Sequence, residues 1–277
     1  MLGFSSLQEE ERFHHKLCML MIYLSPATFV FLRFVFPPNW GKNFSTLLGP
    51  TVPPRLAWCL FEIPNLYWSF LCYLRQQQQG SSSLPTANTI LLALFVGHYV
   101  NRSIVYPLTL NPHTKRIPLE IVLSAHLYTN VNGYLQAQAL CQFYTYPDDS
   151  LVRQARFWLG LMLFGTGVAI NWQSDAILRH LRSSNNNNKS QKCSSSSSGY
   201  VIPYGGLFRF VSAPHYLGEI LEWLGFAMAG QSWAAWSFFT FTCANLIPRG
   251  LAHHEWYQKN FKKDYPVDRK AVIPFLW

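Results

Sequence analysis

The sequence predicts an all-α, polytopic membrane protein of seven transmembrane helices, on three observations. Charge is scarce: of 277 residues, 13% are charged and 49% hydrophobic, against about twice that charge in an ordinary soluble domain. Apolar runs of membrane-span length recur along the chain. Lysine and arginine collect in a few segments that orient those runs consistently.

The first run, Leu17–Phe36, has about the 20 residues that cross a hydrocarbon core. Glu9, Glu10 and Glu11 precede it and no small-residue cleavage site follows, so it reads as a retained span rather than a signal peptide. Further runs cover Leu56–Leu74, Ala87–Leu108, Ile117–Phe143 and Ala155–Ile170. Backbone groups meet no water in the bilayer, so each run must be a helix. The stretch Ile220–Ile247 is long for one span, and Gly230-Gln231-Ser232 interrupts it with turn-prone residues. Two helices are therefore expected, the first starting near Pro214. The basic segments Arg179–Arg209 and Arg249–Lys270 both belong on the cytoplasmic side, which two intervening spans allow and one does not. That makes seven spans, with the N-terminus outside and the C-terminus cytoplasmic. Lys42–Arg55 and Lys115–Arg116 then also lie inside. Residues 1–277 are expected to form a single domain. The run Ser183–Ser198, SSNNNNKSQKCSSSSS, has too little apolar surface to fold and is expected to be a disordered cytoplasmic linker.

Lys and Arg number 22 against 13 Asp and Glu. In a chain this apolar, the excess points to a cytoplasmic membrane face and an anionic ligand rather than to nucleic acid. Cys18, Cys59, Cys72, Cys141, Cys193 and Cys243 include no C-x-x-C pair and are expected as free thiols. There is no HExxH motif or zinc spacing, so no metal is expected.

Ionisable residues inside spans mark candidate function. Glu62, in WCLFEIPN, would be a neutral carboxyl unless paired, and so a donor to a carbonyl oxygen. In GHYVNRSIVY, Tyr99 and Arg102 are three apart and expected on one helix face. In INWQSDAILRHLR, Asn171, Asp175 and Arg179 recur every four residues, with Arg182 three further on. They form either an ordinary helix-end ion pair or a mouth for ribose and phosphate. Glu219 and Glu222 lie three apart after Pro214, and Asn245, Arg249, His253 and Tyr257 repeat every four residues on the last helix. No GxGxxG or Walker motif is present, so a nucleotide would be held by helix side chains.

Nearly end to end, the chain resembles the steroid 5α-reductase family, and most closely its plant members in brassinosteroid synthesis. The resemblance rests on AWCLFEIPNLYW, HYVNRSIVYPL, NGYLQAQ, INWQSD, YVIPYGGLFRFVS, YLGEILEWLG and FKKDYPVDRKAVIPFLW, in that order. It implies seven spans in the endoplasmic reticulum membrane, NADPH as cofactor and a 3-oxo-Δ4-steroid, entering from lipid, reduced at C4–C5. It puts the carbonyl-binding, catalytic pair on Glu62 and Tyr99, with Trp58 beside the steroid. It puts cofactor contacts on Arg102, Asn132, Asn171, Asp175, Arg179, Arg182, Tyr200, His215, Glu219, Arg249, His253 and Tyr257. The chain departs from the family at His215, where an asparagine is usual, at Asn101, where a histidine is usual, and at Phe61, a glutamine in animal members. Three alternatives stay open on the residues alone: a membrane enoyl-thioester reductase, a polyprenol reductase and a non-catalytic scaffold.

Overall fold

The computed structural model describes residues 3–35, 49–79, 83–110, 114–144, 146, 150–187 and 201–276, with the backbone alone at 182–187. Among the described residues there are seven long helices: α1 (Leu7–Val30), α2 (Pro54–Gln78), α3 (Thr86–Val100), α4 (Leu119–Gln138), α5 (Ala155–Asn187), α6 (Pro214–Gly230) and α7 (Trp233–Phe261). Each overlaps one of the apolar runs marked in the sequence. The break between α6 and α7 falls at Gln231-Ser232, as the turn-prone residues require, with Gln231 at φ 51°. A two-residue antiparallel pairing, Thr51 opposite Pro118 and Val52 opposite Ile117, ties the start of α2 to that of α4.

Several boundaries differ from expectation, and α7 runs on to Phe261, past the Ile247 end of the expected run. Helix α1 begins at Leu7 rather than Leu17, because its N-terminus is capped: Ser6 Oγ accepts from the Glu9 amide at 3.2 Å, and the Glu9 carboxylate accepts from the Ser5 hydroxyl at 2.6 Å. Helix α5 continues through residues 183–187, so the first part of the expected linker is helical. The remainder of that linker, with Cys193, lies outside the described residues. The other five cysteines are free thiols.

The chain forms two compact units. The first comprises Met1–Tyr23, Trp40–Leu161 and Phe226–Phe238; the second comprises Leu24–Asn39, Met162–Gly225 and Phe239–Trp277. In the first unit, α2 packs along α4. Pro64, inside α2, has no N–H to offer the Leu60 carbonyl one turn back. His126 of α4 supplies the missing donor through Nδ1 at 2.7 Å, and Thr129 donates to the neighbouring Phe61 carbonyl at 2.5 Å. The carbonyl left without its helical donor by a proline is thus satisfied by a neighbouring helix. Glu62 sits in this turn.

The second unit is organised by a close crossing of α5 and α6. A Cβ on Gly218 would stand 2.8 Å from both the Asn171 amide nitrogen and the Gly167 carbonyl oxygen. Only glycines at both places let the two backbones approach this far. The C-terminal tail docks against the segment before α6: Val211 and Lys270 form a parallel bridge, Ser212 N donates to Lys270 O at 2.8 Å, and Ala213 N to Ala271 O at 3.1 Å.

Large apolar side chains stand exposed on the helices, including Phe34, Leu108, Leu127 and Met162. Among the described residues, two helices, Leu7–Val35 and Thr86–Thr109, are long and apolar enough to cross a membrane by length and composition.

Candidate active site

The first unit carries the expected carbonyl-binding residues. Glu62 is half-buried on α2, and Tyr99, near the end of α3, is buried against Phe95 with ring centroids 4.7 Å apart. Three buried amides join their surroundings. Asn65, one turn beyond Glu62, donates to the Glu62 carbonyl at 3.3 Å. Asn132 of α4 donates to Asn65 Oδ1 at 3.1 Å and reaches the Tyr99 hydroxyl at 3.5 Å. Gln136, the next residue on that face of α4, donates to Asn132 Oδ1 at 3.2 Å and to the Ala234 carbonyl at 2.7 Å. Sequence reasoning missed Asn65 and Gln136. The spacing of four between Asn132 and Gln136 inside an apolar run was the available signal.

Arg102 follows Tyr99 by three residues, where the helix register changes. From Asn101 the helix makes a π-turn, Asn101–Val105, in which the Tyr106 amide bonds back to the Asn101 carbonyl. This i→i+5 register shifts the following side chains around the axis. Arg102 lies over the Trp58 ring at 4.8 Å and the Tyr106 ring at 5.1 Å. Trp58, expected beside the steroid, is thus held by a cation on one face and packs edge-on against Phe61 at 5.6 Å.

The second unit gathers most of the residues that the resemblance gave to the cofactor. Asn171 of α5 donates to the His215 carbonyl at 3.1 Å and to Glu219 Oε1 at 3.4 Å, both on α6. The His215 ring lies 4.2 Å from that of Tyr216 and 6.5 Å from that of His253 on α7. Three helices therefore meet around His215, the position at which this chain departs from the family's asparagine. Asp175 and Arg179 follow Asn171 by one and two turns and are half-buried, as is Arg249. Tyr257 stacks on Tyr265, centroids 5.5 Å apart and planes 7° apart. Gly205 and Gly206, at φ 98° and 48°, make the turn that leads into α6, with Gly206 lying against Gln173. Arg102 and Asn132 belong to the first unit. Tyr200 and the Arg182 side chain lie outside the described residues.

Near this face, the Ser212 hydroxyl joins His254 Nδ1 at 2.6 Å, Tyr265 at 2.5 Å and the Lys270 carbonyl at 3.0 Å. Burial holds His254 below the ordinary histidine pKa, with Arg269 and Lys270 adding to the effect and Glu255 opposing it. Arg269 is itself buried, donating to the Pro203 carbonyl at 3.2 Å with its guanidinium over the rings of Tyr204 and Tyr265. Among the described residues no cluster of His, Cys, Asp and Glu could hold a metal ion.

Residues 115–277 match the family model described as 3-oxo-5-alpha-steroid 4-dehydrogenase, more than half of the chain. The chain belongs to this family. It is therefore a member of a family of membrane oxidoreductases that act on steroids. The tomato (Solanum lycopersicum) protein "Steroid 5-alpha-reductase DET2" is 36% identical over 271 residues, covering 97% of this chain and 98% of that protein. The Arabidopsis thaliana protein of the same name is 39% identical over 266 residues, 94% and 95% of the two chains. Similarity extends to animals: "3-oxo-5-alpha-steroid 4-dehydrogenase 1" of Rattus norvegicus is 38% identical over 267 residues, 94% and 96% of the two chains. The similarity to these relatives runs over nearly the whole chain and so covers residues of both units.

Proposed function

We propose that the protein reduces the C4–C5 double bond of 3-oxo-Δ4-steroids to the 5α-3-oxosteroids, using NADPH, in brassinosteroid synthesis. The observation that carries this reading is the buried amide cluster joining the Glu62 turn to Tyr99, in a chain of this family. The donor set of the second unit suits NADPH. Arg179 and Arg249 offer cations for phosphate, Asp175 and Glu219 accept from ribose or carboxamide donors, and His253 and Tyr257 add polar contacts. Arg182, Tyr200 and His215 join that set by the resemblance.

NADPH, when bound, supplies the hydride. As C5 of the enone receives it, negative charge develops on the C3 oxygen. Glu62, as its neutral acid, and Tyr99 donate hydrogen bonds to that oxygen, each contributing about 3–4 kcal/mol in a dry site. Trp58, held by Arg102, borders the steroid. Protonation at C4 completes the saturated ketone. An isolated allylic alcohol has no such oxygen to stabilise, which disfavours a polyprenol substrate. The seven helices cross the endoplasmic reticulum membrane with the C-terminus cytoplasmic; the exposed apolar side chains on α1 to α5 and the basic tail support this. The steroid enters from lipid.

The test is expression of wild type and Glu62→Gln in microsomes supplied with NADPH and campest-4-en-3-one, with product followed by mass spectrometry. Wild type should form the 5α-saturated ketone and Glu62→Gln should lose it by about 100-fold or more. A wild type that binds NADPH yet reduces no 3-oxo-Δ4-steroid, but does reduce an enoyl-thioester, would sink the assignment.

A further inference from the structure

The direction of each hydrogen bond in the amide cluster follows from its two ends. At one end Gln136 faces the Ala234 carbonyl, and at the other Asn65 faces the Glu62 carbonyl. Main-chain carbonyls only accept, so each amide must turn its NH2 group toward them. With both Gln136 N–H bonds used on Ala234 O and Asn132 Oδ1, Asn132 has its oxygen toward Gln136 and its nitrogen toward Asn65 and Tyr99. Turning Asn132 over would set its nitrogen against the nitrogen of Gln136 and its oxygen against that of Asn65. Both end amides would then have to turn as well, placing oxygen against carbonyl oxygen at each terminus. The polarity is therefore pinned from both sides, inside a cluster where Asn65, Asn132 and Gln136 are at most 2% exposed.

We infer that Asn132, held by Gln136, is a positioning residue that makes Tyr99 a hydrogen-bond donor. The N–H of Asn132 occupies the acceptor side of the phenol oxygen, at 3.5 Å. A phenol that accepts there keeps its own proton for another oxygen. The opposite orientation of Asn132 would offer Tyr99 a carbonyl oxygen and compete with the steroid ketone for that proton. This deepens the reading of Tyr99 as donor to the C3 oxygen and rests on it. It also gives Asn132 a role toward the steroid ketone in place of the cofactor contact implied by the resemblance. Gln136 acts one step further away, through Asn132, and touches neither ligand.

The test is a double-mutant cycle on microsomal enzyme with campest-4-en-3-one: Asn132→Ala, Gln136→Leu, Tyr99→Phe, and each of the first two combined with Tyr99→Phe. NADPH affinity is measured separately by direct binding. Asn132→Ala should lower kcat about 10-fold and Gln136→Leu somewhat less, with NADPH binding unchanged within about 2-fold. In the Tyr99→Phe background, where no hydroxyl remains to be aimed, each should cost less than about 2-fold further. Equal losses in both backgrounds would mean that the amides only hold the helices together, and would overturn the inference. A loss confined to NADPH affinity would overturn it too, by returning Asn132 to the cofactor. If Asn132→Ala does not accumulate, the Gln136→Leu arm carries the same comparison. A wild type inactive on every 3-oxo-Δ4-steroid would instead fail the enone reading at the start, before any variant is compared.

Discussion

The crossing of α5 and α6 makes a sharp prediction at Gly218. In Gly218→Ala the new methyl would stand 2.8 Å from the Asn171 amide nitrogen and the Gly167 carbonyl oxygen, and 3.2 Å from Asn171 Cα. Ordinary contact begins at 3.4 Å, so the helices must part by roughly 0.6 Å, and these neighbours are backbone that cannot swing aside. Overpacking of this kind costs about 1–3 kcal/mol. The displacement falls directly on Asn171, whose bond to Glu219 is already 3.4 Å long and whose bond to the His215 carbonyl is 3.1 Å. Loss of the first and stretching of the second should misplace the polar group proposed to hold NADPH. A hydrogen bond to a charged group contributes about 1.5–3 kcal/mol, so a rise in the KM for NADPH of about 10-fold or more is expected, with kcat for the steroid much less affected. Thermal inactivation of microsomal enzyme and steady-state kinetics with varied NADPH measure the two effects. Unchanged thermal stability in Gly218→Ala would show that the close approach is not required. Lost stability with an unchanged KM for NADPH would refute the link from Asn171 and Glu219 to the cofactor.

Two further outcomes are expected. Glu10, only 3% exposed, accepts from Arg75 at 2.8 Å and from Gln138 at 2.8 Å, while the Arg75 side chain is 24% exposed. Arg75→Met strands a buried carboxylate and should cost about 3–5 kcal/mol. Glu10→Gln leaves a cation that can still reach water and should cost about 1–2 kcal/mol; the reverse order of thermal midpoints in detergent would contradict the burial argument. The third concerns pH. His254 is harder to protonate in the folded protein than at the ordinary value of 6.5, so below that value the unfolded chain binds the extra proton. The stability tied to a neutral His254 is complete above about pH 6.5 and drains away as the pH falls below it. The thermal midpoint should therefore decline between pH 7.5 and 5.5, and less steeply in His254→Gln. Equal slopes would remove His254 as the cause.

Much of the helical plan was legible because long runs of Leu, Phe, Val and Ile mark the apolar helices. The break at Gly230-Gln231-Ser232 was legible because glycine and polar residues interrupt such a run. The start of α1 was not. Glu9, Glu10 and Glu11 mark an acidic stretch ahead of the apolar run, and nothing in it shows that Glu10 is buried against an arginine 65 positions away. The π-turn at Asn101–Val105 was equally hidden, since HYVNRSIVY fits regular helix spacing. Within it Arg102 lies over the Trp58 and Tyr106 rings, contacts that spacing alone does not give.

The candidate site divides along the same line. The sequence alone, through ionisable residues in apolar runs and the order of its motifs, determined the family and marked Glu62, Tyr99 and the polar helix faces around Asn171 and His253 as candidates. Periodicity suffices there, because residues four apart on one helix share a face whatever surrounds them. Tertiary structure alone decided who completes each group: His126 for the carbonyl freed by Pro64, Gln136 and Asn65 for Asn132, and Glu219 and the His215 carbonyl for Asn171. Those partners come from other helices, and a buried polar atom takes the donor or acceptor that packing brings within about 3 Å. Helical periodicity carries no record of that distance.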